Sequence, residues 1–122
     1  GDFYTTGTHK KKDVVLGLQY FARACAHSGI DEYCLKAAAL LDAERRTIQK
    51  QMNGTALEKN NYTEEMINHY LVKGCRLLNR VACDVLMDRE KNHLFDSSSA
   101  SAVFDKSRKY RKYIDKVELN TK

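Results

Sequence analysis

Four cysteines and four histidines are the side chains in this 122-residue sequence that could bind a metal or form covalent bonds. They are Cys25, Cys34, Cys75 and Cys83, and His9, His27, His69 and His93. No pair of cysteines has Cys-x-x-Cys spacing, so the pattern indicates neither a zinc ribbon nor a thioredoxin-type site. Cys25, His27 and Cys34 form the densest group, but a zinc site needs three or four converging ligands. We interpret His27 as a histidine at a helix end, and we expect no metal site and no cofactor.

Among the four histidines, His69 has the neighbouring sequence that most nearly matches a known catalytic motif. Histidine phosphotransfer domains, which are four-helix bundles, carry His-x-x-Lys-Gly. This chain is similar at His69, Lys73 and Gly74, but its lysine comes one residue too late and lies on another part of the helix. We predict that His69 lies on the exposed face of the third helix. No glycine-rich phosphate loop, Gly-x-Ser-x-Gly turn or His-Glu-x-x-His motif is present, so the sequence does not indicate an enzyme.

The cysteines and two glycosylation acceptor triplets bear on the cellular compartment. Asn53 and Asn61 each begin an Asn-x-Thr triplet in one predicted surface loop. Four cysteines in a short chain favour a secreted, disulfide-bonded protein, and a cytosolic protein with buried thiols is the alternative. The chain begins at Gly1, as expected either after removal of a signal peptide or from a cloning remnant. No apolar run is long enough for a transmembrane helix.

Residues 106–116 are the best candidate for a partner-binding segment, in a chain whose formal net charge is +5. We predict partner contacts at Lys106, Arg108, Lys109, Arg111, Lys112 and Tyr113. Such a cluster attracts an acidic protein or glycan, and nucleic acid is the less favoured partner. The alternative is a solvated helix face with Tyr110 turned inward and the stems of the cations lying on the core.

Apolar residues recur at helical spacing, most strongly over residues 63–87. One face of this stretch carries Ile67, Leu71, Gly74, Leu78, Val81 and Val85. We predict an N-terminal arm at 1–12 and helices at about 13–27, 31–52, 63–91 and 99–117, with Gly29 in a left-handed cap and Leu78 in the core. The short connections predict one all-α domain over residues 1–122, folded as an up-down-up-down antiparallel four-helix bundle.

This helix layout also predicts how the cysteines pair. Eight residues separate Cys75 from Cys83, which is roughly 12 Å along one continuous helix. A disulfide needs Cα atoms within about 7 Å, so these two cysteines are not expected to bond to each other. Matching the heights of the cysteines in the bundle predicts the pairs Cys25–Cys83 and Cys34–Cys75.

The whole-chain pattern resembles the anopheline mosquito salivary group that includes anophensin and albicin. The resemblance lies in the mature-looking start, the four helices, the four cysteines and the basic final helix. It implies a secreted, non-enzymatic helical inhibitor of a host plasma protein complex, either the convertase of the alternative complement pathway or a contact-pathway factor. It carries over no functional residues. The alternative function is an intracellular helical module that binds nucleic acid or an acidic protein through its fourth helix.

Overall fold

The computed structural model describes residues 10–52, 61–106 and 108–118, and all regular secondary structure in these ranges is helical. The all-α prediction is therefore confirmed for this part of the chain. The helices are α1 (Lys10–Ser28), α2 (Asp31–Ala43), α3 (Arg45–Gln51), α4 (Tyr62–Arg76), α5 (Arg80–Lys91), α6 (Ala102–Lys106) and α7 (Arg111–Glu118), with a 3₁₀ turn at Ser97–Ser99. Four uninterrupted helices are not what is observed, because the predicted second, third and fourth helices are each divided. Most of the predicted arm lies outside the described residues, and α1 already begins at Lys10.

Helix α4 lies at the centre of the packing. It contacts α1, α2, α5 and α6, and its closest partner is α2, while α7 packs on α1. Several of these helices contribute fully buried residues to the core, including Leu18 of α1, Leu41 of α2, Leu71 of α4 and Ile114 of α7. The N-terminal half of residues 63–87 is thus central to the packing, because it buries its apolar face against several other helices at once.

Gly74 sets how closely three helices approach one another. A Cβ atom at this position would lie 3.2 Å from the Cβ of Ala82 on α5 and 3.2 Å from the Cβ of Cys34 on α2. These distances are shorter than ordinary van der Waals contact between carbon atoms. Any larger residue at position 74 would push α2 or α5 away from α4.

Residues 77–79 form a sharp turn, which we call the α4–α5 corner, in the middle of the helix predicted for 63–91. The amide of Leu78 donates to the Cys75 carbonyl at 2.9 Å, and the amide of Asn79 donates to the Gly74 carbonyl at 2.9 Å. Leu78 takes the left-handed conformation, with φ of +73°. These are the features of a Schellman motif, which ends a helix. Asn79 then begins α5, because its side-chain oxygen accepts a hydrogen bond from the Ala82 amide at 2.8 Å.

The corner overturns the predicted burial of the second half of the stripe. Leu78 is 88% exposed rather than in the core, and Val81 and Val85 are exposed on α5. The physical reason is that α5 starts in a new direction, so the 3.6-residue period of α4 does not continue across the corner. Ala82, Leu86 and Arg89 form the buried side of α5 instead.

The disulfide pairing predicted from a continuous helix is wrong. Cys25 bonds to Cys34 and Cys75 bonds to Cys83, with Cα–Cα distances of 4.7 and 4.8 Å. The corner folds α5 back beside α4, which brings Cys83 next to Cys75. The other bond spans the turn between α1 and α2, where Gly29 adopts the predicted left-handed conformation with φ of +64°. Each disulfide therefore links two consecutive helices across the turn that joins them.

The predicted second and fourth helices are also divided. Glu44, with φ of −114° and ψ of 35°, separates α2 from α3, and its amide still donates to the Leu40 carbonyl. The predicted fourth helix consists of the 3₁₀ turn, the single short helix α6 and then α7. Because this segment is divided, α6 and α7 lie against different parts of the core.

The α4–α5 corner and a continuous helix predict opposite effects of the substitution Leu78→Gly on the free energy of unfolding. We expect Leu78→Gly to raise the free energy of unfolding by up to about 1 kcal/mol, because glycine relieves left-handed strain of about 1–2 kcal/mol but adds entropy to the unfolded chain. Within a continuous helix the same change would cost about 1 kcal/mol. Urea denaturation measures the difference. As a control, Leu71→Ala should lose about 2–5 kcal/mol, since Leu71 is 1% exposed.

Peptide mapping without reduction checks the pairing directly. No lysine or arginine lies between Ala24 and Lys36, so trypsin should release residues 24–36 as one peptide with an internal disulfide, two hydrogen atoms lighter than its reduced form. Trypsin cuts between the other two cysteines, so residues 74–76 should be found linked to residues 81–89. Recovery of residues 24–36 cross-linked to either of these peptides would contradict the structure.

Candidate functional site

Helix α7 separates charge from core more sharply than any other described helix. Its inner side buries Tyr113, Ile114, Val117 and Glu118, and Tyr110 just before it is also buried. The outer side of α7 exposes Arg111, Lys112 and Lys116, and the turn just before the helix exposes Arg108 and Lys109. We call these five exposed cations the basic face. The side chain of Lys106, which was also predicted to contact a partner, lies outside the described part of the structure.

Tyr113 corrects one predicted partner contact. Its side chain is 2% exposed and its ring centroid lies 6.2 Å from that of Tyr62, so it belongs to the core and offers no surface to a partner. Tyr110 is turned inward, as the alternative interpretation of this segment predicted, and its hydroxyl donates to the Val103 carbonyl at 3.1 Å. Both tyrosines follow the apolar period of α7, and this period was visible in the sequence.

The cations of the basic face differ in how far they are neutralised. Arg111 forms an ion pair with Asp115 one turn later, with 3.2 Å between Nε and Oδ1. The Nζ atom of Lys112 lies 5.2 Å from the centre of the Tyr113 ring. Among the described residues, Arg108, Lys109 and Lys116 make no ion pair. Most of the positive charge is therefore available to an acidic partner.

Polar contacts at the C-terminal end of α7 hold it on the core. The Tyr70 hydroxyl donates to Oε2 of Glu118 at 2.7 Å, and the Gln19 side chain donates to the Lys116 carbonyl at 3.1 Å. Burial, together with the charge of Glu118, raises the pKa of Tyr70 well above its usual range. Tyr70 thus stays protonated and keeps donating to Glu118, which fixes the end of α7 against α4.

His69 lies in the core beneath α6 and α7, so its predicted exposure is wrong. It is 4% exposed, its ring is edge-on to Phe104 at 5.0 Å, and its Nε2 atom lies 3.8 Å from Oε2 of Glu118. Neither ring nitrogen has a hydrogen-bond partner among the described residues. Helix periodicity placed His69 away from the main apolar stripe, but the C-terminal helices cover that side of α4 as well. A buried imidazole here does not fit the exposed phosphoacceptor of a phosphotransfer domain.

A partly buried ionic cluster joins α3, α4 and α5, and the sequence analysis missed it. Arg89 donates to Oε1 of Glu64 at 2.5 Å and to the side-chain oxygen of Asn68 at 2.7 Å, and Arg45 also binds Glu64. Burial opposes ionisation of Glu64, but hydrogen bonds from the two arginines outweigh it and lower its pKa. The usable signal was spacing, because Arg89 follows Ala82 and Leu86 at helical intervals. All of these groups are used in joining helices.

Only one of the two candidate glycosylation asparagines lies in the described part of the structure. Asn61 is exposed at the start of α4 with φ of +56°, while Thr63 of its triplet is buried and its hydroxyl accepts from Gln49 at 2.9 Å. Asn53 lies outside the described residues.

No group of three or more His, Cys, Asp or Glu in the described ranges is placed to hold a metal ion. The cysteines near His27 are joined in a disulfide and so are not thiolate ligands.

His69 predicts a specific loss of stability in acid. Burial, aided by the nearby charges of Lys73 and Arg111, lowers the pKa of His69 to about 3, against an ordinary value of about 6.5 in the unfolded chain. Between these two pKa values the unfolded state binds a proton that the folded state does not bind. The free energy of unfolding therefore falls as the pH drops from about 6.5 towards 3, by at most about 1.4 kcal/mol per pH unit. Above pH 6.5 this contribution is constant.

Urea titrations of the intact protein between pH 7 and pH 5.5 measure this slope, above the range in which most carboxyl groups titrate in the unfolded chain. His69→Phe should flatten the pH dependence, because phenylalanine binds no proton in either state. His27→Gln, at an exposed histidine, serves as the control for the removal of a histidine. Parallel curves for the unmodified protein and His69→Phe would mean that His69 does not titrate differently in the two states.

No helix in the described ranges is both long and apolar enough to cross a bilayer. The chain matches no protein-family model, no curated protein and no solved structure.

Proposed function

We propose that this is a secreted, non-enzymatic inhibitor that binds a plasma protein complex of a host, with the convertase of the alternative complement pathway as the first target to test. The observation that carries the proposal is the basic face, a set of exposed cations on α7 and the turn before it, with the end of α7 anchored to the core. The choice of target follows from the resemblance of the chain to the anopheline salivary group. A contact-pathway factor is the second target that this resemblance implies.

The two disulfides support the extracellular part of the proposal. Disulfides persist in oxidising compartments and are rare in the cytosol, where thiols are kept reduced. All four cysteines of the chain are used in them. This disfavours the alternative of an intracellular module that uses the same helix to bind nucleic acid or an acidic protein.

A binding role, rather than catalysis, is supported by where the perturbed ionisable groups lie. His69, Tyr70 and Glu64 have the environments that an active site would exploit. Yet each is enclosed between helices, and Tyr70 and Glu64 use their polar atoms to hold those helices together. The exposed chemistry of the C-terminal segment consists instead of ammonium and guanidinium groups.

The proposed mechanism is occupation of an acidic surface on the target. Exposed cations speed the encounter at low salt, and arginines form strong contacts once water is excluded. Because Tyr113 is buried, the strongest anchors on this face are Arg108 and Arg111. A helix fixed by Tyr70–Glu118 and by Gln19 presents these side chains without paying the entropy of ordering a loose segment.

Charge reversal tests the basic face. Replacing Arg108, Arg111 and Lys112 by Glu should weaken protection of rabbit erythrocytes from lysis in serum containing magnesium and EGTA, where only the alternative pathway operates. The control reverses three exposed cations on α3 and α5, Arg46, Lys50 and Arg80, and makes the same change in net charge. Far-UV circular dichroism establishes that both variants remain helical.

Three outcomes have distinct meanings. Loss of protection in the α7 variant alone supports the basic face as the contact surface. Equal protection by both variants would place the contact elsewhere on the molecule. Failure of the unmodified protein to protect the cells would refute the complement target.

A further inference from the structure

An apolar groove lies between α4, α5 and the segment that connects α5 to α6, away from the basic face. Its volume is about 340 Å³, at the small end of the range of roughly 300–1,000 Å³ that is usual for small-molecule sites. Its lining is Val72, Cys75, Arg76, Cys83, Leu86, Met87, Glu90, Phe95, Ser97 and Ala100. Three separate pieces of chain therefore form its walls.

The groove has an apolar floor and an adaptable rim. Val72 and Leu86 are buried at its base, and the disulfide between Cys75 and Cys83 is half-buried at one end. Met87 is 61% exposed, and its flexible, polarisable side chain can adjust to a ligand. A lining of this kind suits an alkyl chain better than a polar molecule.

Arg76 gives the groove a charged end. Its guanidinium carbon lies 4.8 Å from the centre of the Phe104 ring, and its Nη2 atom is 3.4 Å from the Ser101 hydroxyl. Among the described residues Arg76 makes no ion pair. Contact with the ring leaves guanidinium N–H donors that can pair with a carboxylate.

Glu90 also lines the groove and brings a negative charge to it. Seven residues of α5, or about 10 Å, separate Glu90 from Cys83, which lies beside the α4–α5 corner. Its Oε2 atom already accepts a hydrogen bond from the Ser97 hydroxyl at 2.8 Å. An anionic group is thus favoured beside Arg76 and disfavoured beside Glu90, so the charges set the direction in which an anionic amphiphile would lie.

We propose that this groove binds a monocarboxylate with a medium-length aliphatic tail. The carboxylate accepts hydrogen bonds from Arg76, and the tail lies over Val72 and Leu86 towards Phe95. This site is independent of the basic face, so it stands or falls separately from the proposed inhibition of a plasma protein complex.

Calorimetric titration of the intact, oxidised protein with three ten-carbon probes tests the head group. Decanoate, decylamine and decanol share a tail and differ in charge, and each is kept below its micelle concentration. Decanoate should bind saturably at one site and at least about tenfold more tightly than decanol, since decanol forms no charge-assisted pair with Arg76. Decylamine can lie in the reverse direction with its ammonium beside Glu90, so Arg76→Gln should not weaken its binding. Shortening the acid should weaken binding by up to about fourfold for each methylene removed.

Matched variants test the residues. Arg76→Gln should weaken decanoate binding at least about tenfold and leave decanol binding unchanged, whereas Arg80→Gln, an equal change of charge outside the groove, should alter neither. Met87→Asp places a negative charge on the exposed rim, so it should weaken decanoate binding without lowering the melting temperature. Methyl resonances of Val72, Leu86 and Met87 should shift when decanoate is added.

The proposal is overturned if decanoate gives no saturable binding, if decanol binds equally well, or if Arg76→Gln and Arg80→Gln behave alike. Decanoate binding with resonance shifts confined to other residues would also overturn it. A dimer that dissociates on Met87→Asp, without decanoate binding, would assign the groove to a second copy of the chain instead.

Discussion

The close approach of α2, α4 and α5 at Gly74 is the constraint on which the rest of this structure depends. With no Cβ at this position, Cys34 and Ala82 can sit directly against the backbone of α4. The same residue accepts the hydrogen bond that ends α4, and Asn79 then reaches Asp31 at 2.9 Å, which ties the α4–α5 corner to the start of α2. Both disulfides lie at this end of the molecule. Each closes a short loop and stabilises by about 2–3 kcal/mol in the chain-entropy view, enough to offset the left-handed strain of Leu78.

The other side of α4 depends on the C-terminal helices rather than on covalent links. Phe104 and Glu118 cover His69, and Tyr70 holds Glu118, so a neutral imidazole and a buried carboxylate share one interface. This arrangement fixes α7 in place and presents its cations on the outer side. It also links the surface proposed to bind a partner to a group that lowers the stability of the fold in acid.

The two proposed binding regions use opposite physical principles. The basic face is exposed and charged and is built on α7 and the turn before it, which suits a large acidic surface approached through long-range attraction. The groove is concave and apolar and lies beside the Cys75–Cys83 disulfide, which suits a small ligand that is removed from water. Because they involve different helices, substitutions in one region should leave the other unaffected.

The sequence by itself determined the helical class, the cap at Gly29, the start of α2 at Asp31 and the two-sided character of α7, because each follows from local spacing and local backbone preference. Oxidation of the cysteines was favoured by their number in a short chain. Only the tertiary structure decided the break at Leu78, since a leucine in the left-handed conformation is unfavourable locally and is held there by contacts far along the chain. That break in turn decided the disulfide pairing and the exposure of Val81 and Val85. The burial of His69 and the pairing of Arg89 with Glu64 were settled the same way, because helix periodicity gives the faces of a helix but not which neighbours will cover them.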